Sequence, residues 1–464
     1  MEENADLPMY KIGQKTRRLA AMALVVKNNM QAKNTLNQLD KNDKALAKSL
    51  KKVASGMKIN SAEDDASGYA ISEKMVTQMR SLSQDIDNAQ TGASMLKVAE
   101  GGIQSTVDIL STLKEKVINA ANDTNTDADR AIIQKELDQA VDQLDDNANV
   151  QYNGKIMLDG SHNNEVLSPG TYTVLANESI DPNTDINTLL VDAKDVSGRS
   201  LGILEDSKIE FSYVIQGKTY TTTLDPVGQN FFTDMFAFSV DEDGNPPPSS
   251  SIDMALSSTM ARPDRTGTTV RTTKGDVALQ FVAGTPGIEG QISGLTINVV
   301  NKDGTINRTA NSVLNDFYEA VRAENESPDN ALVLQVGTKA NQSVKMGFSD
   351  MRATALGLRS NDGSTLSIAT QHKANAAISV LDLAMSKALN LQTTVGSVEN
   401  RLDYTVANLT TANENTTAAE SVIRDADMAK EMTAYTKNNV LLQASQSMLA
   451  QANQSSSSVL SLLQ

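Results

Sequence analysis

Apolar and small residues between Ile71 and Ala121 recur along the chain at alternating gaps of three and four positions. This spacing places them on one face of a helix, and a helix of that length extends on the order of 70 Å. Such a helix cannot bury the face against itself, so the pattern predicts a coiled coil with partner helices of similar length. The residues on the face are Met75, Met79, Leu82, Ile86, Ala89, Ala93, Leu96, Ile103, Val107, Leu110, Val117 and Ala121.

Four residues interrupt this pattern. Glu100 and Lys114 fall on the apolar face, where a charge weakens packing but fixes register. Gly101 and Gly102 each cost about 1 kcal/mol relative to Ala in a helix interior. The glycine pair therefore predicts a bend in the helix or a close approach of another backbone.

A second heptad pattern near the amino end predicts a helix over residues 22–57. Asp43 is the polar exception on its apolar face, and Gly56 is placed to cap its carboxyl end. The apolar positions are Leu36, Leu39, Leu46, Leu50, Val53 and Met57.

The acidic pair Asp64 and Asp65 lies between these two helices. A carboxylate pair could serve acid–base chemistry or bind a metal, but no histidine is near and no metal-ligand spacing is present. We therefore expect Asn60 or Ser61 to cap the long helix, with the acidic residues in its first turn.

Beyond the long helix, residues 127–147 have the pattern of a further helix, and Asn153-Gly154 is typical of a type I′ hairpin turn. The carboxyl-terminal arm carries a matching apolar pattern with a stutter near Gln392. We expect this arm to return antiparallel beside the first. Its apolar positions are Ala374, Ile378, Leu381, Met385, Ala388, Val395, Val398, Leu402, Leu409, Ile423, Leu442, Met448, Leu449 and Leu463.

The middle of the chain has a different pattern. Residues 9–168 and 329–464 contain no proline, whereas all eight Phe lie in residues 161–350. Because proline breaks helix interiors, the predicted architecture is mainly α, with two long helical arms and a β-rich insert. Alternating runs predict strands at residues 172–175, 209–215, 219–224 and 295–300, a short helix over 310–323, and a hairpin of 329–337 with 343–348.

Composition and motifs give no sign of catalysis. The chain has no Cys and a net charge of −16, so it lacks thiol chemistry and repels nucleic acid and anionic membranes. No apolar run is long enough to span a bilayer. His162 and His372 lack companion ligands, and residues 241–251 begin like a calcium loop but lack its glycine and glutamate, which favours an exposed linker. We predict no enzyme activity, metal or cofactor.

Both ends of the chain resemble bacterial flagellins. The amino-terminal resemblance lies in residues 23–29 (ALVVKNN), 55–68 (SGMKINSAEDDASG) and 151–154 (QYNG). The carboxyl-terminal one lies in residues 421–429 (SVIRDADMA) and 439–453 (NVLLQASQSMLAQAN). The joint occurrence at both ends is specific to that family and covers about residues 22–160 and 331–464.

The resemblance implies a domain order. Residues 22–60 and 420–464 would form an inner tube, residues 61–160 and 331–419 a rod, and residues 161–330 a variable surface domain. Residues 1–21 would be a flexible leader, or would precede a true start at Met22.

The function expected is that of a secreted subunit that polymerises into the flagellar filament for motility. The amphipathic ends would order as neighbouring copies cover their apolar faces, because an interface that does not close on itself gives an open polymer. The predicted self-assembly residues are Leu36, Leu39, Leu46, Leu50, Val53, Arg424, Asp425, Asp427, Leu442, Met448 and Leu449.

By the same resemblance, the partners are other copies, an export chaperone at the carboxyl-terminal arm, the filament cap and the hook–filament junction proteins. Val422 stands where the family usually has an arginine, so a salt bridge at that position is in doubt. The stretch facing a Toll-like receptor in the family matches residues 111–118 here. Glu115 is kept and Lys114 is basic, but Thr112 replaces an arginine and Lys116 a leucine, which predicts weak recognition through Thr112, Lys114, Glu115 and Ile118.

Three alternatives remain at this point. A hook–filament junction protein shares helical ends of this kind. The insert could act as an adhesin or binding module on a filament subunit. A hydrolase in the insert is the least favoured, since no His-Glu-x-x-His motif is present.

Overall fold

A computed structural model describes residues 29–163, 170–184, 187–237, 239–241, 247, 252–263 and 269–462. The predicted leader, the first residues of the predicted amino-terminal helix and most of the predicted linker at 241–251 lie outside these residues. The described chain forms two compact units. One contains the residues up to Ser83 and from Thr410 onward, and the other contains Gln84–Leu409.

The described residues contain seven α-helices and thirteen strands. The helices are α1 (Met30–Ser55), α2 (Ala66–Ala120), α3 (Asp127–Ala148), α4 (Asp234–Ala237), α5 (Arg308–Leu314), α6 (Gln371–Arg424) and α7 (Met428–Leu462). The strands are β1 (Gln151–Tyr152), β2 (Lys155–Ile156), β3 (Val174–Asn177), β4 (Lys208–Ile215), β5 (Lys218–Leu224), β6 (Ile252–Ser257), β7 (Thr259–Pro263), β8 (Thr269–Arg271), β9 (Ala278–Ala283), β10 (Ile292–Val300), β11 (Tyr318–Val321), β12 (Leu332–Gln335) and β13 (Ser343–Met346). Helical arms around a β-rich middle are as predicted.

Gly56 ends α1 as expected. It adopts a left-handed conformation with φ of 73°, which glycine reaches without a Cβ penalty, and its N–H bonds Lys52 O. The expected start of α2 is wrong, since the helix begins at Ala66 after a turn over residues 61–64. Asp65 is its cap, because its Oδ1 accepts from the N–H groups of Ser67 and Gly68 at 3.1 and 3.0 Å. Neither Asn60 nor Ser61 takes that role.

One of the two predicted rows of the apolar face of α2 is buried, and the other is half-buried, with Ala93, Val107 and Ala121 packed against the core. The positions from Leu82 to Val117 that repeat every seven residues are buried. The second buried row follows them by three residues and contains Asp85, Gly92, Ala99, Thr106, Leu113 and Ala120, whereas the predicted row containing Glu100 and Lys114 is half-buried. Small side chains in the true row let neighbours approach closely. A Cβ on Gly92 would lie 2.6 Å from Leu334 Cδ1.

The second buried row lies one residue before the predicted row, which explains how the helix tolerates its charges and its glycine pair. Lys114 lies at the edge of the packed face and pairs with Asp382 on α6. Gly102 is the close approach that the sequence predicted, although the neighbours are mainly side chains. A Cβ there would lie 3.0 Å from Leu158 Cδ1 and 3.3 Å from Val150 Cγ2, while one on Gly101 would meet nothing within 4 Å.

The helical core of the second unit joins α2, α3 and α6 with the β12–β13 hairpin. Its centre consists of side chains with no exposed surface, including Leu96, Ile103, Leu110, Leu144 and Leu381. Burying such a side chain stabilises a fold by about 1.5–3 kcal/mol. A capping box between Thr126 and Asp129 fixes the start of α3.

The insert packs two sheets around an aromatic core. The strand orders are β10-β4-β5 and β11-β3-β9-β6. Phe211 and Tyr213 of β4 are buried together with Phe281 of β9. The strands predicted from alternating runs are present, with bounds shifted by a few residues.

The short helix of the insert ends earlier than predicted. It stops at Leu314, and residues 318–321 form β11 instead. The reason is that Asn315 turns to the edge of β10, where its side chain accepts from Ile297 N and donates to Ile297 O, both at 2.7 Å. Asn311 also accepts from Val299 N at 2.7 Å. These amides cover an edge that would otherwise pair with another chain.

Candidate assembly surface

Helices α1 and α7 lie antiparallel in the first unit, and side-chain hydrogen bonds fix their alignment. Asn42 Nδ2 donates to Ser445 Oγ at 2.6 Å, and Asn438 Nδ2 donates to Ser49 Oγ at 2.9 Å. Farther along, Lys52 Nζ lies 3.4 Å from a carboxylate oxygen of Glu431. The increasing numbers on α1 therefore meet decreasing numbers on α7.

Most of the buried residues of these two helices are polar, and Ala452 is the apolar exception among the residues described. Asn42, Ser49 and Ser445 keep only 8%, 7% and 7% of their surface exposed. The burial of these three residues could not be predicted from sequence, because Asn and Ser usually lie at the surface. The available signal was the repeat itself, since each arm carries an Asn followed seven residues later by a Ser.

None of the predicted apolar assembly residues is fully buried by this pair, and three of them remain exposed. Leu36, Leu50 and Met448 are exposed by 53%, 51% and 64%. The other predicted leucines and valine are half-buried, namely Leu39, Leu46, Val53, Leu442 and Leu449. The single chain therefore brings α1 and α7 together but only partly buries the apolar stripes that their sequences predict.

The turn between α6 and α7 is tied to the residues after α1. Lys58 N donates to Arg424 O at 2.7 Å, and Ala426 N donates to Gly56 O at 2.9 Å. Arg424 extends from this turn to Glu73 on α2, at 2.9 Å, and its guanidinium lies 5.7 Å from the centre of the Tyr69 ring. A charge held this way fixes the direction of α6 relative to α2 within the unit.

The other two charged residues of this turn have local roles. Asp427 Oδ1 accepts from Ala429 N and Lys430 N at 3.0 and 3.2 Å, and so caps the start of α7. Asp425 Oδ2 accepts from Ser421 Oγ at 2.6 Å. Val422 is 77% exposed, and the ion pair of this segment comes from Arg424 instead.

The predicted receptor-facing residues lie on α2 in the second unit. Thr112, Glu115 and Ile118 are exposed, and Lys114 is half-buried in its pair with Asp382. Thr112 Oγ1 donates to Asp108 O of its own helix at 3.0 Å. A threonine here presents a methyl group and no charge to solvent.

The titratable side chains of the described residues form no arrangement typical of an active site. No group of acidic or histidine side chains there could hold a metal ion. His162 Nδ1 lies 3.2 Å from Asn330 O, and His372 Nδ1 lies 3.2 Å from Glu210. Burial lowers the pKa of Lys387, whose Nζ donates to Ala355 O at 3.0 Å. In the same part of the chain, no helix is long and apolar enough to cross a bilayer.

Comparison with known proteins gives matches at both arms and over nearly the whole length. The model of the bacterial flagellin N-terminal helical region matches residues 26–163, and that of the C-terminal helical region matches residues 378–463. A flagellin of Clostridium tyrobutyricum is 34% identical over 435 residues, which cover 93% of this chain and 99% of the relative. A flagellin of Bacillus subtilis is 28% identical over 461 residues, with 94% and 99% covered. Among solved structures, flagellar hook-associated protein 3 of Legionella pneumophila is 16% identical with a TM-score of 0.31, and covers 75% of this chain and 97% of that one.

Proposed function

The chain belongs to the bacterial flagellins and is a structural subunit of the flagellar filament, and we propose that the outer faces of α1 and α7 are the surface through which copies polymerise. The self-assembly residues are then the leucines of α1 with Leu442, Met448 and Leu449 of α7. Arg424, Asp425 and Asp427 act by positioning α7. The junction-protein and hydrolase alternatives are not favoured, because the relatives that span the chain are flagellins.

One observation carries this proposal. Leu36, Leu50 and Met448 are each more than half exposed on helices that are joined by buried Asn–Ser hydrogen bonds. Removing apolar surface from water is favourable by about 25 cal/mol per Å². A second copy that covers these side chains gains this free energy, and a contact repeated in one direction without closure produces a filament.

We propose the domain roles on the same basis. Residues 22–60 and 420–464 form the inner tube, which the exposed apolar side chains of α1 and α7 support. Residues 61–160 and 331–419 form the rod, whose helices already pack on one another. Residues 161–330 form the outer surface, where the two-sheet insert has a buried core of its own.

Salt-induced polymerisation tests the surface directly. We expect the double variant Leu36→Gln, Leu50→Gln to form few or no filaments by electron microscopy and sedimentation. Leu204→Gln is the matched control, since Leu204 is 60% exposed in the insert, and it should polymerise normally. A shortened chain lacking residues 420–464 should not polymerise, and filaments from it would refute the proposal.

A subunit with exposed apolar helices must be kept from aggregating until it reaches the filament. We infer that it is secreted through the flagellar export channel, with a chaperone on α7, and is added beneath a distal cap beyond the hook–filament junction. The exposed Met432, Val440 and Met448 of α7 support a chaperone, because uncovered apolar side chains promote aggregation before assembly. Binding of purified chaperone to the full chain should be lost when these three residues are changed to Gln.

Weak recognition by a Toll-like receptor follows from residues 111–118. A reporter-cell assay should give potency well below that of an ordinary flagellin. Thr112→Arg should raise it, because the change adds a cation at an exposed position of α2. Ordinary potency of the unchanged protein would contradict this expectation.

A further inference from the structure

We propose that the two Asn–Ser pairs between α1 and α7 set the register of this helix pair, and so decide which apolar side chains a subunit presents to its neighbours. The second half of the proposal rests on the polymerisation surface proposed above. The first half concerns contacts within one chain. The four residues are Asn42, Ser49, Asn438 and Ser445, and we call them the Asn–Ser ladder.

The ladder has approximate two-fold symmetry. Each Asn side chain bonds the Ser of the other helix, and the same Nδ2 also donates to the carbonyl four residues before that Ser. Asn42 Nδ2 lies 3.3 Å from Leu441 O, and Asn438 Nδ2 lies 3.3 Å from Ala45 O. Two equivalent contacts one heptad apart show that the pattern is built into both arms.

A slip of one heptad would break both contacts. In one direction Asn42 would face Asn438 and Ser49 would face Glu431. In the other direction Asn42 would face Ala452, and Ser49 would face Ser445. The first slip would exchange the two Asn–Ser contacts for one Asn–Asn and one Ser–Glu contact, and the second would leave Asn42 opposite an alanine, so neither slipped state keeps the two equivalent Asn–Ser bonds.

Apolar packing alone would leave the register weakly specified. Leu39 and Leu46 of α1 and Leu442 and Leu449 of α7 are half-buried beside the ladder, but each pair repeats after seven residues, so similar apolar contacts would form after a slip of one heptad. A buried Asn at a core position of a coiled coil is known to specify register at some cost in stability. The ladder gives this pair the same property, and register then fixes where Leu36 and Leu50 lie relative to Met448.

Chemical cross-linking measures the register. The natural chain has no Cys, so introduced pairs react alone. Ala45→Cys with Leu442→Cys reports the observed register, and Ala45→Cys with Tyr435→Cys reports a slip of one heptad. A bis-maleimide that spans less than the ~10 Å rise of a heptad distinguishes the two. Links are read within single chains by mass spectrometry, on both polymerised and unpolymerised protein.

The parent background should link the 45–442 pair and not the 45–435 pair. Asn42→Ser should lower the ratio of observed to slipped links about two- to tenfold, which corresponds to one lost hydrogen-bonded pair. Adding Ser445→Asn to that variant should restore the ratio, because the two-fold arrangement lets an Asn on α7 bond a Ser on α1. Asn439→Ser is the matched control and should change nothing, since the side chain of Asn439 accepts from Gln443 of its own helix.

Three results would overturn the proposal: a parent that links neither pair, an unchanged ratio in Asn42→Ser, and a swapped variant that does not recover. Loss of filaments in a variant that keeps the observed register would contradict the polymerisation surface instead. The two proposals therefore fail in different ways.

Discussion

The two helical regions of this chain are built from similar heptads but are completed differently. In the second unit, α2, α3 and α6 bury leucines and isoleucines such as Leu110 and Ile103 entirely. In the first unit, α1 and α7 bury Asn42 and Ser49 and leave Leu36 and Leu50 exposed. The comparison teaches that an apolar heptad predicts a buried face but not whether the same chain or another copy buries it.

The largest effect on stability should come from the second unit, whose helices bury their apolar side chains within one chain. Leu110→Ala removes a side chain with no exposed surface, and large-to-small changes of this kind cost about 2–5 kcal/mol of unfolding free energy. Leu50→Ala, in the first unit, should change the unfolding free energy of the unpolymerised protein by no more than about 0.5 kcal/mol, as is usual for an exposed position. Urea denaturation of both variants measures the difference, and equal losses would contradict the comparison.

A smaller effect is expected at Gly92, where Leu334 of β12 lies close to the backbone of α2. Gly92→Val introduces a Cβ that would lie 2.6 Å from Leu334 Cδ1, and overpacking typically costs about 1–3 kcal/mol. Gly101→Val should cost less, because nothing lies within 4 Å of a Cβ there. Thermal unfolding of the two variants should therefore separate them, with Gly92→Val melting first. A reversed order would show that the buried row of α2 is misplaced.

The smallest effect is a pH dependence at Asp85. This carboxyl is 5% exposed, its Oδ2 has no hydrogen-bond partner among the residues described, and burial raises its pKa. A raised pKa in the folded state means that the group stabilises the fold below its unfolded pKa of about 3.9, and that this stability is lost as the pH rises through the folded value.

Asp85→Asn should consequently raise the unfolding free energy at pH 7 by about 1 kcal/mol, because a neutral amide replaces a buried charge. The gain should shrink toward pH 4, because the raised pKa favours protonation of the parent carboxyl in the folded state. Asp87→Asn is the control, since Asp87 is exposed two residues away. Urea unfolding at both pH values measures the effect, and a gain that does not change with pH would exclude the burial of a charge as its cause.

The arms could be predicted from sequence because a heptad is a local signal. Its phase could not be read in full, because Gly92, Ala99 and Thr106 form a buried row without large apolar side chains. The partner of each strand in the insert could not be predicted either. The sheet β11-β3-β9-β6 joins segments from Val174 to Val321, and alternation within a strand does not encode its neighbour.

The assembly residues, likewise, could be predicted only in part from the sequence. Leu36 and Leu50 could be identified as members of an apolar stripe, but exposure of that stripe depends on how α1 meets α7. We propose that the Asn–Ser ladder sets that contact. Its residues are polar, so a pattern of apolar positions does not reveal them. Arg424 was identified by resemblance, while its partner Glu73 lies 351 positions away in the sequence and emerges only in the folded chain.

Amide hydrogen exchange on unpolymerised and polymerised protein tests the central claim most directly, because it reports local stability segment by segment. We expect protection in α1 and α7 to rise strongly on polymerisation, while the core around Leu110 and Leu381 is protected in both states. Full protection of α1 and α7 before polymerisation, with no increase in the filament, would contradict the claim that neighbouring copies complete these helices.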